Sequence, residues 1–139
     1  MNRFEDWEEP YFDEDGFAYW LDNIIPQRNY GWRCQHHRNL KLGKGVDIGC
    51  FTYMNAKFGI EIGKNTQLGG GCLVYSYNSE NNTTGPVKIG KNCLIGANTT
   101  ILPNSNIPNG SKIKIGSIVT VDGWGKTIVL EDERKKKFL

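Results

Sequence analysis

The chain has 139 residues, of which 38% are hydrophobic and 23% charged, with a formal net charge of +2; this balance is typical of one soluble globular domain and excludes wholesale disorder. The 17 glycines and 5 prolines favour turn-rich β-structure over a helical bundle. No stretch approaches the roughly 18 uninterrupted apolar residues of a membrane span, and residues 1–26 lack the basic start and apolar core of a secretion signal, so we expect a cytoplasmic protein without membrane spans.

The N-terminal arm, residues 1–39, is acidic and aromatic. Residues 1–22 carry eight Asp or Glu against one Arg, or −7, which leaves +9 for the rest of the chain. This split fits either an anionic ligand on the body or docking of the arm onto its own domain. We predict a short helix from Phe17 to Ile25, which ends before Pro26. The density of aromatic residues demands burial, on the body or on a neighbouring subunit; recruitment of another protein is the alternative.

An aliphatic residue recurs every six positions through the middle of the chain. A six-residue period fits neither a helix of 3.6 residues per turn nor strand alternation alone, so each period needs a short strand and a corner. Small residues four places later allow neighbouring corners to stack, and Gly or Asn accepts the strained backbone there. Three such hexads close a triangular coil of about 18 residues, and successive coils pair as parallel strands. The repeated positions are Leu42, Ile48, Met54; Ile62, Leu68, Val74; Ile89, Ile95, Ile101; and Ile107, Ile113, Val119.

The second coil is longer than its neighbours. Ile62 to Ile89 spans 27 residues, whereas Leu42 to Ile62 spans 20 and Ile89 to Ile107 spans 18. The excess falls in the polar segment 75–86, YSYNSENNTTGP, which we predict to project as a loop from the repeat domain, residues 40–121. A lone loop on a rigid scaffold is where function most often resides; a neutral insertion is the alternative.

The remaining signals are weaker. The four cysteines form no Cys-x-x-Cys pair and have no suitably spaced histidine, so we expect reduced thiols and no metal site. In the C-terminal extension, residues 122–139, Thr127–Leu130 is a candidate last strand, and Trp124 is interpreted as part of a cap, with stacking on a base as the alternative. The one basic run, 134–137, directly follows three acidic residues, so we expect no nucleic-acid partner.

The repeat resembles that of the hexapeptide-repeat acyltransferases over about residues 40–121. The run GPVKIGKNCLIGANTTILPN, residues 85–104, is similar to the segment after the catalytic loop in their sugar and xenobiotic O- or N-acetyltransferases, and IKIGSIVT, residues 113–120, resembles their IGAGSVVT coil. The resemblance implies an all-β, left-handed parallel β-helix of about four coils that assembles as a homotrimer. It also implies acetyl-CoA as acyl donor between subunits and a sugar or nucleotide-linked sugar as acceptor beside the loop.

The resemblance also suggests how the cofactor is held. Family members bind the pantetheine arm largely by backbone groups of consecutive coils, and the matching residues are Gly96, Ala97, Gly116 and Ser117. Corners need glycine in any case, so a purely structural role is an equal alternative. Lys112, Lys114 and Lys126 are candidates to contact the CoA phosphates, although exposed lysines are usually only solvated.

Acyl transfer to a hydroxyl or amine needs a base for the acceptor proton. Family members commonly place a histidine at the start of the loop, but Tyr77 and Ser79 occupy those two places here. The candidates for the base are His36 or His37 from a neighbouring subunit, Glu80, and Tyr77 itself, while Tyr75 and Asn78 are expected to position the acceptor.

Two readings compete with this base-catalysed reaction, and a third is excluded. An amine acceptor needs little help from a base. A chain that has lost catalysis would serve as a trimeric scaffold or binding protein. The carbonic anhydrases that share the fold need three histidines, and the two adjacent histidines of this chain do not fit such a site.

Overall fold

Short strands alternate with tight corners along the part of the chain that the computed structural model describes, residues 11–12, 14, 17–19 and 31–130. One 3₁₀ helix, His37–Asn39, interrupts them. In chain order the strands are β1 (Tyr11–Phe12), β2 (Phe17–Tyr19), β3 (Arg33–Gln35), β4 (Leu40–Gly43), β5 (Asp47–Ile48), β6 (Tyr53–Asn55), β7 (Ile60–Ile62), β8 (Gln67–Leu68), β9 (Leu73–Tyr75), β10 (Tyr77–Asn78), β11 (Thr83–Thr84), β12 (Val87–Ile89), β13 (Leu94–Ile95), β14 (Thr100–Ile101), β15 (Asn106–Ile107), β16 (Lys112–Ile113), β17 (Ile118–Val121) and β18 (Thr127–Leu130).

The strands stack into three parallel sheets, one on each side of a prism. The first face contains β4, β7, β12 and β15, the second contains β5, β8, β13 and β16, and the third contains β3, β6, β9, β14 and β17. The register aligns the repeated residues, since Leu42 lies beside Ile62, Ile62 beside Ile89, and Ile89 beside Ile107. The predicted left-handed parallel β-helix of about four coils is therefore confirmed.

The repeated aliphatic residues fill the interior of the prism. Alternation along the short strands turns the repeated side chains inward and the side chains next to them outward. Eleven of the twelve repeated residues are buried, and Ile113, in the last coil, is half-buried. Cys72 and Cys93 also lie in this core, as expected for small apolar side chains.

Small residues and residues with a left-handed backbone conformation form the corners between the faces. We call the corner between the first and second faces the first corner, that between the second and third faces the second corner, and that between the third and first faces the third corner. At the first corner, Asn65 and Asn92 adopt positive φ angles. Beside them, the buried Thr66 Oγ1 donates to Gly90 O at 2.6 Å and accepts from Cys93 N at 3.1 Å. Each corner is thus bonded to the corner of the next coil.

A β-hairpin leaves the prism at the third corner of the second coil. It consists of β10 and β11, in which Tyr77 pairs with Thr84 and Asn78 with Thr83 in antiparallel register. Its base is tied to the prism because Gly85 N donates to Ser76 O at 2.9 Å and Asn104 Nδ2 donates to Thr84 O at 3.1 Å. This hairpin occupies the segment that the sequence predicts to project, and we refer to residues 77–84 as the hairpin.

Antiparallel strands cover both ends of the solenoid. The predicted helix from Phe17 to Ile25 is wrong for its first three residues, because Phe17–Tyr19 is the strand β2, which pairs with β4 and with β1. The open backbone edge of β4 offers hydrogen-bond partners that a local helix would leave unused. Residues 20–25 lie outside the described part of the chain.

One parallel strand lies outside the range 40–121 predicted for the repeat domain, and the predicted last strand Thr127–Leu130 is present as β18. β3 lies before residue 40 yet already pairs in parallel with β6 on the third face. At the other end β18 runs antiparallel to β17, and Trp124 in the intervening turn is 95% exposed. Of the helical segments in the described residues, none has the length and apolar character needed to cross a membrane.

Candidate functional site

A groove of about 610 Å³ runs along the third face beside the hairpin. Five of the residues singled out from the sequence contribute to it. Six further residues come from four strands of the third face, β3, β6, β9 and β14, and from the position directly after β14. The lining residues are Gln35, Tyr53, Asn55, Leu73, Tyr75, Tyr77, Asn78, Ser79, Glu80, Thr100 and Leu102. The structure therefore brings Tyr75, Tyr77, Asn78, Ser79 and Glu80 together.

The floor of the groove consists of outward side chains of the third face. Tyr53 and Asn55 flank the buried Met54 of β6, and Tyr75 lies beside Asn55 on the next coil. The rings of Tyr53 and Tyr75 have centroids 6.0 Å apart and planes at 58°, a geometry typical of aromatic pairs. Leu73, on the same strand as Tyr75, and Leu102 on the next coil add apolar surface to the floor, beside Thr100. The floor thus combines aromatic, polar and aliphatic side chains.

The hairpin forms the wall of the groove. The side-chain Oδ1 of Asn78 accepts a hydrogen bond from Glu80 N at 3.2 Å, and Asn81 Oδ1 accepts one from Thr83 N at 3.2 Å. These bonds order the turn, in which Ser79 and Glu80 are exposed and Asn78 is half-buried. Glu80 carries the one carboxylate among the described residues that line the groove.

Burial raises the pKa values of two groups at and behind the groove floor, Tyr53 and Cys34. Burial, followed by the neighbouring Tyr75 and Cys34, raises the pKa of the Tyr53 phenol. Cys34 pairs with Met54 behind the floor, and its burial raises the pKa of its thiol from 9.0 to about 12. A phenol is protonated near neutral pH even at its ordinary pKa, and the raised pKa of Tyr53 makes this hydroxyl a still poorer candidate for the base.

The two histidines lie outside the groove lining. His36 follows Gln35 directly, is exposed and has a left-handed backbone with φ 58°. His37 begins the 3₁₀ helix, and its buried Nε2 has no hydrogen-bond partner among the described residues. Both stand at the corner between β3 and β4 that leads into the first coil, so within one subunit they adjoin the lining residue Gln35 without entering the groove.

The candidate cofactor residues share the second corner of the last two coils. Gly116 N donates to Ala97 O at 2.9 Å, and Ser117 is buried with its hydroxyl donating to Lys114 O at 2.7 Å. A Cβ on Gly96 would lie 2.4 Å from Ile115 N, so the stacking of coils by itself requires glycine there. Lys112, Lys114 and Lys126 are exposed. The packing of the coils thus accounts for three of the four small residues, Gly96, Gly116 and Ser117, without a cofactor.

The sequence pattern could have identified the floor residues that it missed. Tyr53, Asn55, Leu73 and Leu102 each stand one position before or after an inward aliphatic residue of the third face, and alternation turns such positions outward. What was missing is the knowledge that the third face, rather than the other two, adjoins the hairpin. Across the described residues no group of three or more His, Cys, Asp or Glu is placed to hold a metal ion.

Comparisons with known proteins agree with this architecture. Residues 86–121 match the family model described as "Hexapeptide repeat of succinyl-transferase". The chain is 38% identical over 61 residues to "Bifunctional protein GlmU" of Anaplasma marginale (strain Florida), covering 44% of this chain and 14% of the relative. It is 29% identical over 96 residues to the protein of the same name from Wolbachia pipientis wMel, covering 68% and 21%.

A shorter relative aligns over a larger share of its own length. The chain is 32% identical over 95 residues to "Putative acetyltransferase YvoF" of Bacillus subtilis (strain 168), which covers 66% of this chain and 55% of the relative. The alignments thus span from about a seventh to about half of these proteins. Together with the repeat register and the triangular coils, they show that the chain belongs to the hexapeptide-repeat acyltransferase superfamily.

Proposed function

We propose that the protein transfers an acyl group, acetyl from acetyl-CoA, to a hydroxyl or amine of a sugar or nucleotide-linked sugar bound in the groove. The observation that carries this proposal is the hairpin, which stands over a polar groove on a superfamily solenoid. The family description names a succinyl-transferase and one relative is named an acetyltransferase, which supports acyl transfer as the reaction class.

The groove has the chemistry to hold a polyhydroxylated acceptor. Tyr75, Tyr77 and Ser79 supply hydroxyl groups, which both donate and accept, and Asn55 and Asn78 supply amides. The tilted rings of Tyr53 and Tyr75 offer apolar surface for the carbon face of a sugar ring, with a polar handle at the edge. We therefore assign acceptor binding to Tyr75 and Asn78, with Tyr53 and Asn55 beside them.

Glu80 is the base that the single chain supports best, because it is the carboxylate at the groove wall. In the proposed step the acceptor oxygen or nitrogen attacks the thioester carbonyl carbon while its proton passes to the Glu80 carboxylate. The carbon–sulfur bond then breaks, and the CoA thiolate leaves and takes up that proton. The competing bases are Tyr77 in the same groove and His36 or His37 supplied by a second copy of the chain.

CoA binding is proposed at the second corner, where Gly96, Ala97, Gly116 and Ser117 allow close approach of the pantetheine arm. Lys112, Lys114 and Lys126 are proposed partners for its phosphates. A homotrimer would place this corner against a neighbouring subunit, and sedimentation of the purified protein tests that assembly directly.

The primary experiment measures thiol release from acetyl-CoA with a panel of amino sugars and nucleotide-linked sugars, alongside calorimetric titration with acetyl-CoA. Glu80→Gln is expected to lower kcat at least about 100-fold, the usual size of a general-base effect. Glu61→Gln on the first face, where Glu61 Oε2 lies 3.6 Å from Lys88 Nζ, is the matched control and should leave kcat unchanged.

The identity of the base is tested by two further results. A full rate in Glu80→Gln together with a large loss in His36→Ala or His37→Ala would move the base to the histidines. The pH dependence of kcat/KM adds an independent criterion, because imidazole and carboxyl groups ordinarily titrate about two pH units apart.

A second candidate function is a non-catalytic binding or scaffold protein. The observation in its favour is that none of the described residues lining the groove is a histidine. If acetyl-CoA produces no heat of binding at millimolar concentration and no thiol is released with any acceptor, the transferase proposal fails and the scaffold remains.

A further inference from the structure

Two residues of the preceding coil pack against the first residue of the hairpin. Lys57 and Phe58 occupy the third corner between β6 and β7, and their sequence separation from Tyr77 is about one coil. The ring centroids of Phe58 and Tyr77 are 6.1 Å apart with planes at 44°. The ammonium of Lys57 lies 5.3 Å from the Tyr77 ring centroid and 5.7 Å from that of Phe58. One cation therefore bridges two aromatic rings on adjacent coils.

Hydrogen bonds through the side-chain hydroxyl of Ser76 fix the same corner from below. Phe58 N donates to Ser76 Oγ at 2.9 Å, and that hydroxyl donates to Asn55 O at 2.7 Å. Ser76 is fully buried, and its carbonyl accepts from Gly85 N, the residue after the hairpin. The corner of one coil thus holds both ends of the hairpin that leaves the next coil.

Above this base the hairpin depends on side chains. Lys57 and Phe58 are both exposed, Phe58 to 43%, so burial in the core does not account for their positions. Their contacts fall on Tyr77, which also lines the groove. The side chains of Lys57 and Phe58 therefore contact the wall of the groove, while the backbone N of Lys57 donates to Oδ1 of the floor residue Asn55 at 3.1 Å.

We propose that Lys57 and Phe58 are positioning residues that hold Tyr77, and with it the hairpin wall, over the groove and so set the affinity for the acceptor. This inference rests on the proposed function for its effect on the acceptor, but not for its effect on the hairpin. Neither residue touches the reacting atoms, so their loss should appear in KM rather than in kcat.

The test compares Lys57→Met and Lys57→Arg with the wild type. Lys57→Met keeps the length of the side chain but removes the cation, and KM for the acceptor is expected to rise about fivefold with kcat changed less than about twofold. Lys57→Arg should restore KM, because a guanidinium also binds over aromatic rings. Lys41→Met, an exposed lysine in the first-face row beside Glu61, is the control and should match the wild type.

A second measurement keeps the inference testable whether or not transfer is detected. Amide hydrogen exchange over residues 77–84 should accelerate several-fold in Lys57→Met and more in Phe58→Ala, while the amides of β12 and β14 keep their wild-type protection. Phe58→Tyr, which retains the ring, should stay near wild type.

The outcomes separate the two proposals. Unchanged exchange in the hairpin of Lys57→Met, or a loss of activity that Lys57→Arg fails to restore, would overturn the positioning role. Faster hairpin exchange with no transfer in the wild type would instead overturn the proposed function and leave Lys57 and Phe58 as residues that position the hairpin.

Discussion

The first two corners of the prism differ from the third corner in the number of residues that each step between repeated positions takes. Along the repeat every step across the first or second corner is six residues, from Leu42 to Ile48 and Ile48 to Met54 through to Ile107, Ile113 and Val119. The third corner takes eight residues between Met54 and Ile62, fifteen between Val74 and Ile89, and six between Ile101 and Ile107. All residues in excess of the six-residue step therefore lie at the third corner.

Packing between coils explains this difference. At the first corner a Cβ on Gly63 would lie 2.6 Å from the carbonyl carbon of Gly90, whereas at the third corner a Cβ on Gly59 would meet only Pro86, at 3.9 Å. At the first two corners, tight contacts between coils leave no room for inserted residues. At the third corner, the open space beside Gly59 leaves that room. The groove, the hairpin and their positioning residues all lie at the edge where growth is permitted, so the scaffold itself restricts where a site can form.

The largest expected loss of stability comes from inserting residues at a tightly packed corner. Insertion of Gly-Ser after Asn92 should lower the free energy of unfolding by about 4 kcal/mol, because it disrupts the bonds from Asn92 N to Lys64 O and from Gly110 N to Lys91 O. The same insertion between Asn81 and Asn82 in the hairpin turn should cost less than about 1 kcal/mol. Urea unfolding of both variants measures the contrast, and equal losses would refute the distinction between corners.

A single methyl group tests the same contrast at finer scale. Gly63→Ala is expected to cost about 3 kcal/mol, because the added Cβ would overlap backbone atoms of Gly90 and Lys91, which cannot move aside. Gly59→Ala should cost only about 1 kcal/mol, through its positive φ of 101° rather than through a clash. Gly123→Ala, with nothing within 4 Å and no positive φ, serves as the control. A Gly63→Ala protein as stable as the control would show that neighbouring coils can separate.

The fold was predictable because its signal is local and periodic. Twelve aliphatic residues in fixed spacing specify the inward columns, and the lengths of the steps show where the hairpin leaves. The strand Phe17–Tyr19 was not predictable in this way, since its partner Leu42 is distant in sequence and only the assembled edge of β4 makes an extended backbone favourable there.

The candidate site was predictable only in part, for a related reason. Tyr75, Tyr77, Asn78, Ser79 and Glu80 are neighbours in sequence, and their place beside the hairpin identified them. Tyr53 and Leu102 reach the same groove from other coils, so finding them requires the register between strands as well as the repeat. The base could not be assigned from sequence, because the positions where the family commonly has histidine hold Tyr77 and Ser79.

The buried hydroxyl at the open corner gives the next prediction. Ser76→Ala should lower the free energy of unfolding by about 2 kcal/mol, because it leaves the part-buried Phe58 N without its present acceptor and removes the donor to Asn55 O. Ser111→Ala at the first corner removes a 2.6 Å bond to Pro108 O from a half-buried residue, and a change within about 0.5 kcal/mol is expected. Comparable losses in the two variants would mean that the anchoring of the hairpin base adds little to stability.

The last effect concerns the thiol behind the groove floor and develops only at alkaline pH. Below pH 9 Cys34 is protonated in both folded and unfolded chains, but burial raises its folded pKa from 9.0 to about 12. Between these values the unfolded chain loses the proton while the folded chain keeps it, so the free energy of unfolding falls as pH rises. The wild-type Tm should therefore decline more steeply from pH 9 to 11 than that of Cys34→Ala. Cys50→Ala, which alters an exposed thiol at the second corner, should follow the wild type. Parallel curves for Cys34→Ala and the wild type would show that the Cys34 thiol is not desolvated. Solvent would then reach the space behind the third face.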